Sequence, residues 1–310
     1  MLPVCASEPA PAGPEPGPKA REAGLSETDL ENGFGTDAPV VDCHAHIFLD
    51  DMPVSRDAWT QIDYGFTAED LLAVLDAHGV HFGVISGISI SGFYNDYMIR
   101  SLRRHRRLRG TAIVSPHTDF HTLEQMAADG IVGIRLQLAR AGQLPDFRSD
   151  EYRLLLRRVR DLGWHVHVAI EGPALRGVLE PLREAGVDTV IDHMGHPDPA
   201  DPLACDGFAA MLEAVDGGRS WIKLSGGFRL LGTDSWRDPQ GDLDSVAAVV
   251  ARELLARVGP DRLLWGSDAP FVGYEKRVDY ARVLASFRTW VPDPAVRAAI
   301  SRTALKLYFP

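Results

Sequence analysis

Between residues 40 and 267 the sequence falls into eight short apolar, β-branched runs, at 40–48, 81–87, 110–115, 131–138, 164–170, 189–193, 221–225 and 262–267. Runs this short and this continuously apolar suit strands buried on both faces, because a strand with one wet face alternates polar with apolar residues. The stretches between them carry helix signals instead. Amphipathic patterns occupy 68–78, after a Thr67 cap, and 150–162, 174–185 and 245–258. Strands and helices taking turns imply parallel strands joined by helical crossovers.

Eight such repeats within about 250 residues predict an α/β fold of the (β/α)8 TIM-barrel type, a single domain over 38–310. An open doubly wound sheet is the alternative, but no GxGxxG follows the first run. Residues 1–37, rich in Pro, Ala, Gly and Glu, read as a flexible tail and lack the basic and apolar regions of a secretory signal. The formal charge of -11 argues against nucleic acid as a partner. No apolar run approaches the ~18 residues of a membrane span. Cys5, Cys43 and Cys205 are odd in number and show no metal-type spacing, which suits a reducing compartment and makes the cytoplasm the expected location. The basic cluster at 100–109 reads as the solvated end of a helix.

In a barrel the C-terminal strand ends share one mouth, and several runs bring polar residues there. The first carries Asp42-Cys43-His44-Ala45-His46; strand alternation would turn Asp42, His44 and His46 one way and Cys43 and Ala45 the other, toward the helices. Two imidazoles on one face can grip a metal or a polarised substrate. An isolated HxH is more often structural, but here it has company. The fourth run adds Arg135 and Gln137, the fifth His167 and Glu171, the sixth His193, and the eighth Asp268, where Leu264-Trp265-Gly266-Ser267-Asp268 breaks into a turn. Arg135, inside an apolar strand, needs a carboxylate, either a barrel acid or a bound one. The segment Gly87-Ile88-Ser89-Ile90-Ser91-Gly92 misses a serine-hydrolase elbow by one residue, which leaves Ser89 or Ser91 as ligand-bonding candidates.

From Val40 to Pro310, and through Asp42-Cys43-His44-Ala45-His46, Leu162-Gly163-Trp164-His165-Val166, Asp192-His193-Met194-Gly195-His196-Pro197 and Leu264-Trp265-Gly266-Ser267-Asp268, the chain resembles the amidohydrolase superfamily. The similar branch is the amidohydrolase-related one that holds 2-pyrone-4,6-dicarboxylate lactonase and similar lactone hydrolases. The resemblance implies that His44 and His46 are the first-strand pair, His193 the sixth-strand histidine and Asp268 the carboxylate that handles the water proton. It also implies that Arg135 and Arg229 bind a substrate carboxylate. Where metal-dependent relatives end the fifth strand in a histidine, and the lactonase has a tyrosine, this chain has Ala169.

These residues lead to an expected hydrolase, a lactonase opening a cyclic ester of a small carboxylic acid with Asp268 as general base and His44, His46 and His193 polarising the carbonyl. Tyr64 and Tyr94, in long loops, are candidates for pocket lining. The metal is left open: one divalent ion, zinc first, on His44, His46 and Asp268 with His167 as an extra ligand, or a metal-independent reaction. The alternatives are a metal-dependent non-oxidative decarboxylase of an aromatic or unsaturated acid, and a non-catalytic barrel that only binds. The expected partners are a small carboxylate or lactone and, as an open option, further copies of the chain.

Overall fold

The computed structural model describes residues 39–56, 58–231 and 242–310; the tail expected at 1–37 and Cys5 lie outside them. Eight parallel strands hydrogen-bond in sequence order: β1 (Val41–Ala45), β2 (Phe82–Ser86), β3 (Leu108–Ala112), β4 (Ile131–Gln137), β5 (His165–Ala169), β6 (Asp188–Ile191), β7 (Ser220–Ser225) and β8 (Leu263–Gly266). Just past β8 the ring closes: His46 N donates to Ala269 O at 2.8 Å and Asp268 N to His44 O at 2.7 Å. This is the (β/α)8 barrel.

Helices fill the crossovers: α1 (Ala68–Ala77), α2 (Asp96–Arg104), α3 (Phe120–Ala128), α4 (Asp150–Asp161), α5 (Arg176–Ala185), α6 (Asp206–Asp216), α7 (Ser245–Arg257) and α8 (Tyr280–Trp290), with α9 (Pro294–Tyr308) following. The Thr67 cap is real. Its side chain accepts from Asp70 N while Asp70 bonds back to Thr67 N, satisfying two orphan donors of α1. The basic cluster ends α2, where Arg103 pairs with Asp129, and Arg107 beyond it pairs with Asp76.

The main core lies between strands and helices, where Leu71, Leu75, Leu123, Leu155 and Phe287 are fully covered; each such side chain contributes about 1.5–3 kcal/mol. A second core fills the barrel floor. Val41, Cys43, Val84, Val190 and Leu264 meet Leu305 and Tyr308 of α9, which plug the bottom.

That floor overturns one sequence expectation. In β1, Asp42 pairs with Gly83 and Ala45 with Ile85, so Cys43 and His44 together oppose Val84. This is a β-bulge: one extra residue breaks the alternation, and both side chains face inward. Cys43 therefore joins the barrel interior rather than the helices, and burial pushes its thiol pKa up. Asp42, expected beside the histidines, faces out. Its carboxylate accepts from Tyr280 Oη of α8 at 2.9 Å and from Ser267 N at 2.9 Å, pinning β8 and its following turn against β1.

Candidate active site

At the C-terminal mouth the backbone itself is unusual. Among the described residues, the non-glycine positions with left-handed φ are Arg140, His193, Met194, His196, Asp268 and Phe271, all in the loops after β4, β6 and β8. Such conformations are held only where surrounding structure over-determines them, and they gather at functional sites.

Asp268 is the point where these loops converge. Its side chain is 2 % exposed. His46 Nε2 approaches Asp268 Oδ1 at 3.3 Å and His44 Nε2 at 3.6 Å, while Arg229 Nε donates to Asp268 Oδ2. Burial alone would raise this carboxyl, but the charge of Arg229, followed by His193, His46 and His44, outweighs it and holds the group well below its usual 3.8. His46 is oriented from behind by Nδ1, which donates to Ser86 O at 2.8 Å. His193 bonds Ser225 Oγ through Nδ1 at 3.0 Å. Gly226 permits that contact: its φ is +58, and a Cβ there would lie 2.5 Å from His193 Nδ1. Gly266 plays the same part for β1, since a Cβ on it would meet His44 Cβ at 2.6 Å.

Beneath the mouth lies a group the sequence reading did not single out. Lys223 of β7 is fully buried, and its Nζ reaches Asp192 Oδ1 at 3.0 Å, His167 Nδ1 at 3.0 Å and His44 Nδ1 at 3.2 Å. Asp192 Oδ1 is also 3.3 Å from His44 Nδ1, and Asp192 Oδ2 accepts from Arg135 Nε at 3.3 Å. Burial would raise Asp192; Lys223, His44 and Arg135 reverse that and hold it well below 3.8. Burial lowers the pKa of His44 from 6.5 to about 3, so the ring is neutral at pH 7. His167, a candidate extra ligand, lies below the mouth with both nitrogens engaged. Nδ1 meets Lys223 and Nε2 meets Tyr308 Oη at 3.3 Å, so this histidine belongs to the barrel floor.

The cavity above is lined by His46, Trp59, Ser89, Arg135, Gln137, Arg140, Ala169, Glu171, His193, His196, Arg229 and Asp268 among others. Of the two partners weighed for Arg135 the structure shows the barrel acid: it is 5 % exposed, paired with Asp192 and bonded to Gly87 O at 2.8 Å, and it borders the cavity. Ser89 lines it too, its Oγ accepting from Trp59 Nε1 at 3.2 Å. Tyr64 and Tyr94 are not among the lining residues; Tyr64 Oη donates instead to Glu275 Oε1 at 2.9 Å. Arg140 and His196 were not assigned roles from sequence. Arg140, exposed at the rim, stacks its guanidinium 4.7 Å from the centre of the Trp59 ring, and its backbone N–H donates to Glu171 Oε1 at 3.0 Å.

The Amidohydrolase family model matches residues 41–309, the whole barrel. The chain belongs to the amidohydrolase family. Relatives of this amidohydrolase include a 4-sulfomuconolactone hydrolase from Rhizobium radiobacter, 27 % identical over 293 residues and covering 92 % of each chain. A 2-pyrone-4,6-dicarboxylate hydrolase from Comamonas testosteroni is 27 % identical, covering 89 % of this chain and 92 % of its own. A crystal structure from Acinetobacter baumannii, of a protein assigned as a 2-pyrone-4,6-dicarboxylic acid hydrolase with citric acid bound, superposes with a TM-score of 0.80 at 28 % identity, over 87 % of this chain and 99 % of that one. This amidohydrolase is an enzyme of the hydrolase class.

Whether its residues suit a metal can be tested on the donor set. His44, His193 and Asp268, all buried, each offer an atom within 4.8 Å of the others, and among the described residues His44 Nε2 has no hydrogen-bond partner. His46, with Nδ1 donating to a carbonyl, presents Nε2 toward the same carboxylate, the orientation a second-shell bond gives a ligating histidine. These positions would suit one divalent ion only with the His44 proton on Nδ1 and its Nε2 lone pair turned to the ion.

Proposed function

We propose that this amidohydrolase hydrolyses a cyclic ester of a small, acidic molecule, with Asp268 as the proton-transfer group. The observation that carries the reading is the convergence on Asp268: a buried, ionised carboxylate ringed by His44, His46, His193 and Arg229 at the base of a cavity that Arg135 and Arg140 also border. Asp268 takes a proton from water, and the hydroxide adds to the lactone carbonyl. The tetrahedral intermediate expels the ring oxygen, which receives that proton, leaving a hydroxy acid.

His44, His46 and His193 crowd the place where negative charge develops on the carbonyl oxygen, and stabilise it there. Their setting is preorganised, because Ser86, Ser225 and the Lys223–Asp192 pair hold the rings from behind. A divalent ion, zinc by preference, would need His44 Nε2 unprotonated beside His193 and Asp268, with His46 next to them, and no step above depends on it.

Arg135, Arg140 and Arg229 favour a substrate carrying carboxylates or a similar oxyanion, since a guanidinium pairs with these through two parallel N–H bonds. The relatives support this class: one is named for a sulfonated lactone, another for a pyrone dicarboxylate, and the Acinetobacter baumannii structure holds a tricarboxylic acid. Decarboxylation has less support. Ala169 gives no ligand at the end of β5, and His167 below it is occupied by Lys223 and Tyr308.

The test is a panel of mono- and dicarboxylated lactones followed by acid release and by CO2 release. Ring opening without CO2, lost about 10²–10⁴-fold in Asp268→Asn with the fold retained, is the expected outcome. CO2 release, or an Asp268→Asn enzyme as active as the parent, would overturn it.

A further inference from the structure

A lysine buried in a barrel core, at 0 % exposure, is costly unless its three N–H bonds all find acceptors and its charge a counter-charge. Lys223 has its counter-charge in Asp192, whose Oδ1 lies 3.0 Å away as an ion pair, and hydrogen-bond acceptors in His167 Nδ1 at 3.0 Å and His44 Nδ1 at 3.2 Å. An ammonium has donors and no acceptor, so each imidazole nitrogen it meets must present a lone pair. A neutral imidazole carries one proton. For His167 that proton then sits on Nε2, where Tyr308 Oη stands 3.3 Å away to accept it. For His44 it sits on Nε2 also, the nitrogen without a hydrogen-bond partner among the described residues, 3.6 Å from Asp268 Oδ1 on the cavity side.

A metal ligand needs the opposite tautomer. His44 would have to release Nε2 to the ion and carry its proton on Nδ1, donating to Asp192 Oδ1 at 3.3 Å, which sets an N–H against the Lys223 ammonium. Charge points the same way. Lys223, Arg135 and Arg229 surround Asp192 and Asp268, three cations to two carboxylates, before any ion is added.

We propose that Lys223 is a positioning residue that holds His44 as the Nε2–H tautomer, making it a hydrogen-bond donor to the lactone carbonyl oxygen and keeping it from serving as a metal ligand. Lys223 itself never touches substrate; it acts through the far nitrogen of the ring. The inference rests on the lactonase reading for the word carbonyl, but the tautomer and the metal preference stand apart from turnover.

The experiment pairs two readouts on the full chain. First, ¹⁵N NMR of histidine-labelled wild-type protein, with His44 assigned by its loss in His44→Gln, should show the proton on Nε2; a proton on Nδ1 overturns the proposal outright. Second, equilibrium dialysis against zinc, on protein purified without an affinity tag, compares wild type with Lys223→Met, which keeps the chain length and removes the charge. Zinc should bind at least about 10-fold more tightly to the variant, because His44 is freed to donate from Nδ1 to Asp192 and ligate through Nε2. Lactone turnover without metal should fall about 10²-fold in kcat with KM little changed, the signature of a lost transition-state donor. Equal zinc affinity in the two proteins overturns the proposal. If Lys223→Met does not fold, Lys223→Gln takes its place, and the wild-type tautomer still decides. A wild type that opens no lactone but shows the Nε2 proton and the zinc difference would refute the lactonase reading and leave this inference intact.

Discussion

Arg229 donates from Nε to Oδ2 of Asp268, so the carboxylate proposed to move the proton is paired with a cation that borders the cavity. The second nitrogen of the guanidinium is anchored on Val272 O at 3.1 Å, and its plane lies over Phe228 and Tyr274, at 4.9 and 5.3 Å from the ring centres. A substrate carboxylate that reaches Arg229 competes with Asp268 for it. Binding would thereby make Asp268 more basic at the moment water must be deprotonated. In Arg229→Met that counter-charge is gone, and burial, the force it opposes, should carry Asp268 upward. The expected result is a KM for carboxylated lactones raised by about 10-fold or more, and an acid limb of kcat/KM that moves to higher pH. An acid limb unmoved while KM rises would mean that Arg229 binds substrate without tuning the base.

Arg140 should behave differently, because it touches none of the proton-transfer groups. Exposed and braced on Trp59, it can reach an acidic substituent at the cavity rim. Arg140→Ala is expected to raise KM about 10-fold for lactones with a distal carboxylate, to spare uncharged lactones, and to leave kcat and the pH profile in place. Steady-state kinetics on a matched pair of lactones decides it; equal losses on both would place the arginine in the fold rather than in recognition.

The eight strands were legible because their apolar runs are continuous and evenly separated, and Asp268 was legible because its run ends in a turn. Boundaries were not. The third run, 110–115, was read two residues late, since Ile113 and Val114 continue the apolar stretch past the last paired residue of β3, Leu108–Ala112. The inward turn of Cys43 could not be read at all, because a bulge is fixed by register against β2, and no residue type in Asp42-Cys43-His44 announces it. Lys223 was hidden for another reason. Its run, 221–225, reads as buried strand, and the partners that make a buried lysine tenable come from β1, β5 and the end of β6. Arg140 has a left-handed backbone, at φ 65, two residues beyond the expected end of the fourth run, and nothing local distinguishes it from any surface arginine.

Gly226 allows a prediction about positioning. Its left-handed backbone and its contact with His193 both exclude a side chain, so Gly226→Ala must push the His193 ring off Ser225 or shift the turn. A stability loss of about 1–3 kcal/mol should appear in urea unfolding. Hydrolysis should fall about 10²-fold in kcat, because a displacement on the order of 1 Å is enough to spoil a preorganised donor. A variant that is destabilised yet fully active would show that His193 has no part in the chemistry.

Buried neutral histidines set how the fold responds to acid. Burial lowers His44 and His165 from 6.5 to about 3 and His196 to about 4, and His167 and His193 lie well below 6.5. In the unfolded chain these rings take up protons as pH falls through 6.5, while in the folded protein they stay neutral. The unfolded state binds more protons, so stability drops as pH falls from 6.5 toward 4, each ring contributing up to about 1.4 kcal/mol per pH unit. Asp42 works the other way. Burial raises it from 3.8 to about 6, so the folded state gains a proton as pH falls across that window, offsetting about one histidine. Asp192 and Asp268, held below 3.8, add their loss only in stronger acid. Urea unfolding at pH 7 and pH 5 should therefore show a distinctly lower midpoint at pH 5, with several protons taken up on unfolding. An unchanged midpoint would mean that the buried rings already carry charge in the folded protein.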